Sequence, residues 1–353
     1  MNNKVLILGL ASPQADAIAC CKSLGLEVHA CADREAGLHL AKPDYFAPID
    51  IKDAEAICRY ARDHQIRVIY SAGSDLALPT ISYAGAKLGL PHFVDLATVN
   101  LCSNKDQLRS FLGSDFFGNV RYLSVHSADE IGSWDIFPCV VKPVDSQGQR
   151  GFAVVTGREQ LKNHLQRSLH YSPAGRAIIE EYIDGPEISV NLYLHEGRIA
   201  FAQTTDRIVF AQYPGIVKAH RIPSRVAGRK TEALVRRLCE ALVQKLGLKN
   251  GPLYIQLKLK DGEPKLIELT PRLDGCHLWQ LIKFYCGVNL LEVTFRHLLG
   301  EKVKLERSDT FTPYTLTYIT AKPGATVEKK QYRDLKAQYV QWYYEEGDTV
   351  HLV

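Results

Sequence analysis

The chain has 353 residues, 46% of them apolar and 23% charged, which is ordinary usage for folded soluble domains and excludes disorder as the default. At roughly 150 residues per domain it allows two or three domains. Lys and Arg (43) exceed Asp and Glu (39) by a net charge of only +4, spread along the chain, which is too weak for a nucleic-acid surface. Nine cysteines with no C-x-x-C pair read as reduced thiols of a cytoplasmic protein rather than a disulfide or zinc framework. The N-terminus runs directly into an apolar stretch with no basic segment before it, so no signal peptide is expected. No apolar run approaches the roughly 18 residues of a membrane helix.

In the first hundred residues, apolar runs at 5–9, 27–31, 47–50 and 67–71 are predicted strands. Between them 13–24, 53–64 and 76–88 carry helical periodicity, with Pro13 at a helix start and Gly25 and Gly89 just past helix ends. This alternation predicts a parallel α/β sheet. The first strand-to-helix turn, from Gly9 to Asp16, lacks the second and third glycines of a dinucleotide fold. With Asp33 read as a common strand-end residue, a scaffold rather than an NAD site is expected. The pattern breaks over 91–100, and a helix is predicted over 104–112. A smaller α+β stretch follows, with strands 139–144 and 152–155, helix 158–169 and strand 177–183. From Glu187 the alternation is strict, with Glu187, Ser189, Asn191 and Tyr193 on one face and Ile188, Val190, Leu192 and Leu194 on the other. It predicts an antiparallel sheet with one face buried and the other toward solvent or a ligand. A helix over 231–246 closed by Gly247, a hairpin, a helix over 277–286 and a short strand-rich segment complete the chain.

The hairpin is the most informative stretch for chemistry. A three-residue loop over 261–263 sets Gln256 opposite Glu268 and Tyr254 opposite Thr270, whereas a two-residue loop puts them out of step. Opposed residues are about 4.5–5.5 Å apart at Cβ, so a Gln oxygen and a Glu carboxylate could share one cation. Few oxygen ligands with room for phosphate oxygens suit Mg²⁺. Arg272, just past Pro271, suits a phosphoryl group or carboxylate because its planar fork binds both bidentately. The competing reading of this hairpin is a surface salt-bridge cluster.

Upstream, Lys142 stands alone in the apolar run from Pro138 to Pro143 and calls for an anionic partner, such as a bound phosphate. The following loop holds Gly148, Arg150 and Gly151 and could nest an anion on its backbone N–H groups, or be an ordinary hairpin. The stretch from Ile178 to Glu187 pairs apolar residues with acids, as a nucleotide base and ribose would need; exposed acids on a strand edge are the alternative.

In order and spacing, these pieces resemble the ATP-grasp superfamily, particularly the branch of carbamoyl-phosphate synthetase, biotin carboxylase and small carboxylate–amine ligases. The matching residues are Ser103 to Lys105 with Arg109, Val140 to Pro143, the loop to Gly151, Glu180 to Ile183 with Gly185 and Glu187, Gln256, and Ile267 to Arg272 with Gly275. The resemblance implies a Rossmann-like pre-grasp α/β domain (1–101), a two-subdomain ATP-grasp α+β core (102–300, with a small lid at about 113–180) and a short C-terminal strand-rich segment (301–353). It implies ATP phosphates on Lys105 and Lys142 under the loop of Gly148, Arg150 and Gly151. Adenine would lie at the hinge of Glu180, Glu181, Tyr182 and Ile183, with ribose on Glu187. The metal, Mg²⁺ or alternatively Mn²⁺, would sit on Gln256, Glu268 and Thr270, and Arg272 would act in catalysis. The chain departs from the family at Thr270, where Asn is usual, and at Gln256, where an acid is usual.

The activity so implied is ADP-forming ligation, in which a carboxylate is phosphorylated to an acyl phosphate and then coupled to an amine such as an amino acid or small peptide. The alternatives are a bicarbonate-activating carboxylase or carbamoyl-phosphate-type enzyme, and a catalytically silent nucleotide-binding module. The expected partners are the small-molecule carboxylate and amine, with neither nucleic acid nor membrane, and a homodimer is compatible with the sequence. Lys218, His220, Asp274, Gly275, Cys276 and His277 are candidates for the acceptor pocket. Cys276 reads as a packed thiol, and His220 and His277 as either proton acceptors or structural histidines.

Overall fold

Strand β1 (Lys4–Leu8) turns Val5 and Ile7 into one core cluster and Leu6 and Leu8 into another, all fully buried. A strand buried on both faces belongs in a parallel sheet covered by helices. With β2 (Glu27–Cys31), β3 (Tyr45–Ala47) and β4 (Val68–Tyr70) it forms the expected parallel sheet, in the order β3-β2-β1-β4. The computed structural model describes residues 3–35, 37, 40–132, 134–146 and 150–351. Helices α1 (Ser12–Ser23), α2 (Ala54–Asp63) and α3 (Leu78–Leu88) connect these strands. Pro13 lies in the first turn of α1, and Gly89 caps α3 in the left-handed conformation.

Two local expectations are corrected. The third strand covers 45–47 rather than 47–50, because its ladder with β2 runs from the His29–Tyr45 pair and stops where β2 stops, at the Cys31–Ala47 pair. The supposed break over 91–100 contains the start of α4 (Leu96–Ser103), whose first turn is capped by the Asp95 carboxylate on Thr98 N–H. Extended backbone at Asn104 separates it from α5 (Lys105–Leu112) and sets Lys105 at the helix start.

Strands β5 (Tyr122–Val125), β6 (Cys139–Pro143), β7 (Ala153–Val155) and β8 (Ala177–Glu181) form an antiparallel sheet in the order β5-β8-β6-β7. Helix α6 (Arg158–His170) closes its core through Leu161 and Leu165. The third sheet contains β9 (Glu187–His195), β10 (Arg198–Phe210), β11 (Tyr213–Ile222), β12 (Gly251–Lys260), β13 (Glu263–Thr270) and β14 (Tyr314–Thr317), in the order β13-β12-β9-β10-β11-β14. Helix α7 (Arg229–Leu246), ended by left-handed Gly247, packs with Ile188, Val190 and Leu192 on one side of it. On the other side Tyr193, Phe201 and Ile222 share a core with α1, α8 (Leu278–Cys286) and α9 (Leu290–Leu298). The polar face of β9 is therefore covered, with Ser189 and Asn191 at 0% and 4% exposure, so that of the two alternatives expected for it, solvent or a ligand, it does not face solvent.

The β12–β13 turn also differs from expectation. It has two residues, Asp261 (φ +53°) and Gly262 (φ +81°), the positive pair that a type I′ hairpin needs. A bulge then inserts Ile267, so that Leu257 faces Leu266 while Gln256 faces Glu268 and Tyr254 faces Thr270. The expected pairing holds through the bulge rather than through a longer loop. Residues 301–351 carry fewer strands than expected; among the described residues they hold β14 and an isolated bridge between Thr326 and Thr349.

Candidate active site

Strand β6 and the start of α5 bring Lys142 and Lys105 to the same place. Lys142 Nζ lies 2.6 Å from Glu180 Oε2, and Arg109 Nε donates to Glu180 Oε1 at 2.9 Å. Burial by itself raises the Glu180 pKa, but the charges of Lys142 and Arg109 hold it down to about 2. Arg109 also donates to Asn119 Oδ1 (3.1 Å) and to the carbonyl of Leu266 (2.7 Å), beside the bulge. Glu180 thus serves through its side chain as the counter-ion of Lys142 and Arg109. Lys105 Nζ donates to Ser146 O at 3.0 Å, and burial together with the like charge of Lys142 pulls its pKa below the usual lysine value. Lys142 and Arg109 thus pair with Glu180, while Lys105 lies within electrostatic reach of Lys142, Glu268, Glu180 and Asp145.

Of the loop residues, Gly148 lies outside the described residues. Arg150 is exposed. Gly151 has φ +73°, and its carbonyl accepts Ser168 Oγ at 2.6 Å.

The hinge begins where β8 ends. Glu181 accepts Arg121 N–H (3.0 Å), and Tyr182 N–H donates to Pro138 O (3.2 Å). Lys258 Nζ donates to Ile183 O at 3.1 Å and lies 5.0 Å over the Tyr182 ring. A Cβ on Gly185 would stand 1.9 Å from Leu259 O, so only glycine lets the hinge close against β12. Glu187 accepts Arg207 Nη1 at 2.5 Å and Gln256 Nε2 at 3.1 Å. A cavity of about 350 Å³ opens beside this hinge, lined by Asp184, Gly185 and Gly262 among others. Its lining contains neither Lys105 nor Lys142.

On the β12–β13 hairpin, Glu268 is exposed and its carboxylate has no hydrogen bond or ion pair among the described residues. Gln256 faces it, and with its Nε2 given to Glu187 the amide oxygen remains. Thr270 is buried opposite Tyr254. An unpaired carboxylate beside a free amide oxygen fits Mg²⁺, which keeps several waters and phosphate oxygens of its own. Among the described residues no group of three or more His, Cys, Asp or Glu could hold a metal.

Arg272 is buried, and its fork is taken by Asp75. Sequence reasoning missed Asp75 and Arg109 as a partner of Glu180, because each acts through a partner far away in the chain, and Arg207, which faces Glu187 across the β9–β10 pair.

The acceptor candidates separate into two groups. Asp274 is buried and accepts Cys276 N–H (2.7 Å) and Leu278 N–H (3.0 Å), the first N–H of α8. Gly275 packs against Gly73, so closely that a Cβ on Gly73 would lie 2.8 Å from its Cα. Burial pushes the Cys276 thiol up to about 12, and His277 is bonded to Asp16 and Tyr343. On β11, Lys218 is exposed. His220 is fully buried, and burial with the nearby Arg207 charge lowers its pKa to about 3. Its Nε2 lacks a partner, as do Arg207 Nε and Asn191 Nδ2 in the same sheet.

Residues 136–279 match the family described as ATP-grasp domain. The chain is 23% identical to the carbamoyl phosphate synthase large chain of Vibrio cholerae serotype O1 over 264 residues, 74% of this chain and 24% of that protein. It is 29% identical to carnosine synthase 1 of Gallus gallus over 179 residues, 46% of this chain and 19% of that protein. The chain therefore spans about a quarter or less of the length of these two relatives. Its fold resembles that of L-amino acid ligase from Bacillus licheniformis, with a TM-score of 0.79 and 20% identity, covering 99% of this chain and 89% of that one. Solved structures with this fold include complexes with ADP and with ADP and magnesium. Among the described residues, no helix is long and apolar enough to cross a membrane.

Proposed function

The chain carries an ATP-grasp domain, and from that premise we propose that it is an ATP-dependent, ADP-forming ligase that activates a carboxylate as an acyl phosphate and couples it to an amine. The amine is an amino acid or a small peptide. The observation that carries this reading is that Lys105 and Lys142 lie together beside the Arg109–Glu180 pair with the Glu268 carboxylate in electrostatic reach of Lys105, a grouping of cations and an acid that a polyphosphate with its metal would complete.

In this reading Lys105 and Lys142 hold the phosphates of ATP. The hinge from Glu181 to Ile183 receives the base, and Glu187 stands by the ribose. Gln256 and Glu268, with Thr270 beside them, hold Mg²⁺, which when bound neutralises charge on the transferring phosphoryl group. Asp75 and Leu273 O take three of the five N–H groups of Arg272, leaving one on each terminal nitrogen for the substrate carboxylate or phosphoryl oxygens. The carboxylate oxygen attacks the γ-phosphorus and ADP leaves; the amine then attacks the acyl carbon and phosphate leaves. Positioning and charge stabilisation are most of what phosphoryl transfer needs, and a closed loop at Gly151 would keep water from the acyl phosphate.

The test is ADP release from Mg-ATP against carboxylates, amino acids and bicarbonate, with mass spectrometry of the product. An amide from a carboxylate and amine pair supports the reading. Turnover that requires bicarbonate replaces it with carboxylation, and tight ATP binding without turnover replaces it with a silent nucleotide-binding module.

A further inference from the structure

A second polar cluster lies where three distant parts of the chain meet, and phosphoryl transfer leaves it without a role. Asp16, in the second turn of α1, accepts His277 Nδ1–H at 2.8 Å and Trp279 Nε1–H at 3.0 Å on Oδ2, while Gln341 Nε2 donates to Oδ1 at 3.1 Å. His277 Nε2 meets Tyr343 Oη at 2.9 Å and Ser12 Oγ at 3.3 Å. A carboxylate only accepts, so Nδ1 carries the proton and Nε2 presents its lone pair. An Asp that orients an imidazole in this way prepares it as a base.

Two further observations bear on this cluster. His277 is 5% exposed and has φ +58°, a left-handed conformation that a non-glycine residue keeps only when its surroundings impose it. Cys276, next to it, is close enough to Arg207 and Arg272 to feel both charges, and its thiol hydrogen-bonds with Tyr318. His277 therefore stands one residue from the acceptor side of the site, and the C-terminal residues Gln341 and Tyr343 cover it.

We propose that His277 is the proton acceptor for the incoming amine, with Asp16 as its positioning residue and Tyr343 as a cover that yields to the substrate. The inference rests on the ligase reading. In the coupling step His277 Nε2 first takes one proton from the substrate ammonium, and the neutral amine nitrogen then attacks the acyl-phosphate carbon and the C–N bond forms. The bond from that carbon to the bridging oxygen breaks, and phosphate leaves with the electron pair and takes up the second amine proton. Tyr343 is 43% exposed, so its outer side is open for the hydroxyl to swing away.

The test uses the full chain with Mg-ATP and a panel of amino acids, singly and in pairs. It reads ADP, amide product, and the hydroxamate formed with added hydroxylamine, a nucleophile that is already neutral near neutral pH and needs no base. H277Q is expected to lose amide formation on the order of 100-fold, the usual contribution of a general base, while hydroxamate formation stays close to the wild-type rate. H277Q that forms amide at the wild-type rate overturns the assignment. So does H277Q that loses amide and hydroxamate together, since His277 then shapes the whole site. Should H277Q fail to fold, D16N carries the same comparison. It is expected to lower amide formation selectively, and equal loss of both products overturns the proposal. A wild-type chain that releases no ADP with any member of the panel overturns the ligase reading and this inference with it.

Discussion

Asp75 and Arg272 form a bidentate pair, with Arg272 Nε 2.7 Å from Oδ1 and a terminal nitrogen 2.6 Å from Oδ2. The pair joins the loop after β4 to the end of β13 and fixes the plane of the one arginine assigned to the reacting groups. The Asp75 charge raises the Arg272 pKa against the effect of burial. D75A leaves that buried cation unpaired and is expected to cost about 3–5 kcal/mol of stability, read in a denaturant titration. D75N keeps the shape and is expected to lower ADP release more than it lowers the melting temperature.

Glu180 makes the protein acid-sensitive in a defined window. Its folded pKa is held down to about 2 by Lys142 and Arg109, from an ordinary 4.5. A depressed carboxylate contributes stability in full above its unfolded pKa and loses it as pH falls through the folded value. Stability of the wild type should therefore drop between about pH 4.5 and 2. E180Q should be less stable near neutral pH and show a flatter profile in that window, by circular dichroism against pH.

Glu268 is exposed and makes no hydrogen bond or ion pair among the described residues, so removing it should leave the fold intact. E268A is expected to abolish ADP production with a stability change within about 0.5 kcal/mol. A folded E268A that turns over normally would remove Glu268 from the site.

Gln256 gives an opposite kind of test. Q256E sets a second carboxylate where Gln256 Nε2 now donates to Glu187 at 3.1 Å. Without a metal the two acids repel, and the variant should melt lower than wild type. Mg²⁺ should recover more stability in Q256E than in wild type, because a ligand bound only by the folded state raises its stability by mass action.

Cys276 should be inert as a nucleophile. With its pKa pushed up to about 12 by burial, the thiolate fraction near neutral pH is negligible. Iodoacetamide is expected to leave Cys276 unlabelled in the folded chain by peptide mass spectrometry, and C276S is expected to retain ADP formation.

What could be read from sequence was what repeats locally. Short apolar runs located β1 and β2, the 3.6-residue period α2 and α7, and the two-residue period β9, and the order and spacing of the pieces holding Lys105, Lys142, Gln256 and Glu268 carried the resemblance to the ATP-grasp superfamily. The Gln256–Glu268 pairing was reached with a wrong loop length, because a one-residue bulge at Ile267 cancels the shorter turn. Helix α4 was missed because its start depends on one capping side chain, Asp95, in a stretch whose Pro and polar residues look like a loop. The burial of Ser189 and Asn191 was missed because alternation reports two faces without saying what covers each. The pairs that organise the site, Asp75 with Arg272, Arg109 with Glu180 and Asp16 with His277, join residues 197, 71 and 261 positions apart. No local pattern encodes such contacts.

The central claim is that the chain spends ATP to activate a carboxylate. Its most direct test is hydroxamate formation from Mg-ATP, hydroxylamine and the carboxylate panel, measured together with ADP in wild type and E268A. Hydroxamate and ADP in equal amounts from wild type, and neither from E268A, is the expected result. ADP without hydroxamate for every carboxylate, or no ADP at all, would contradict it.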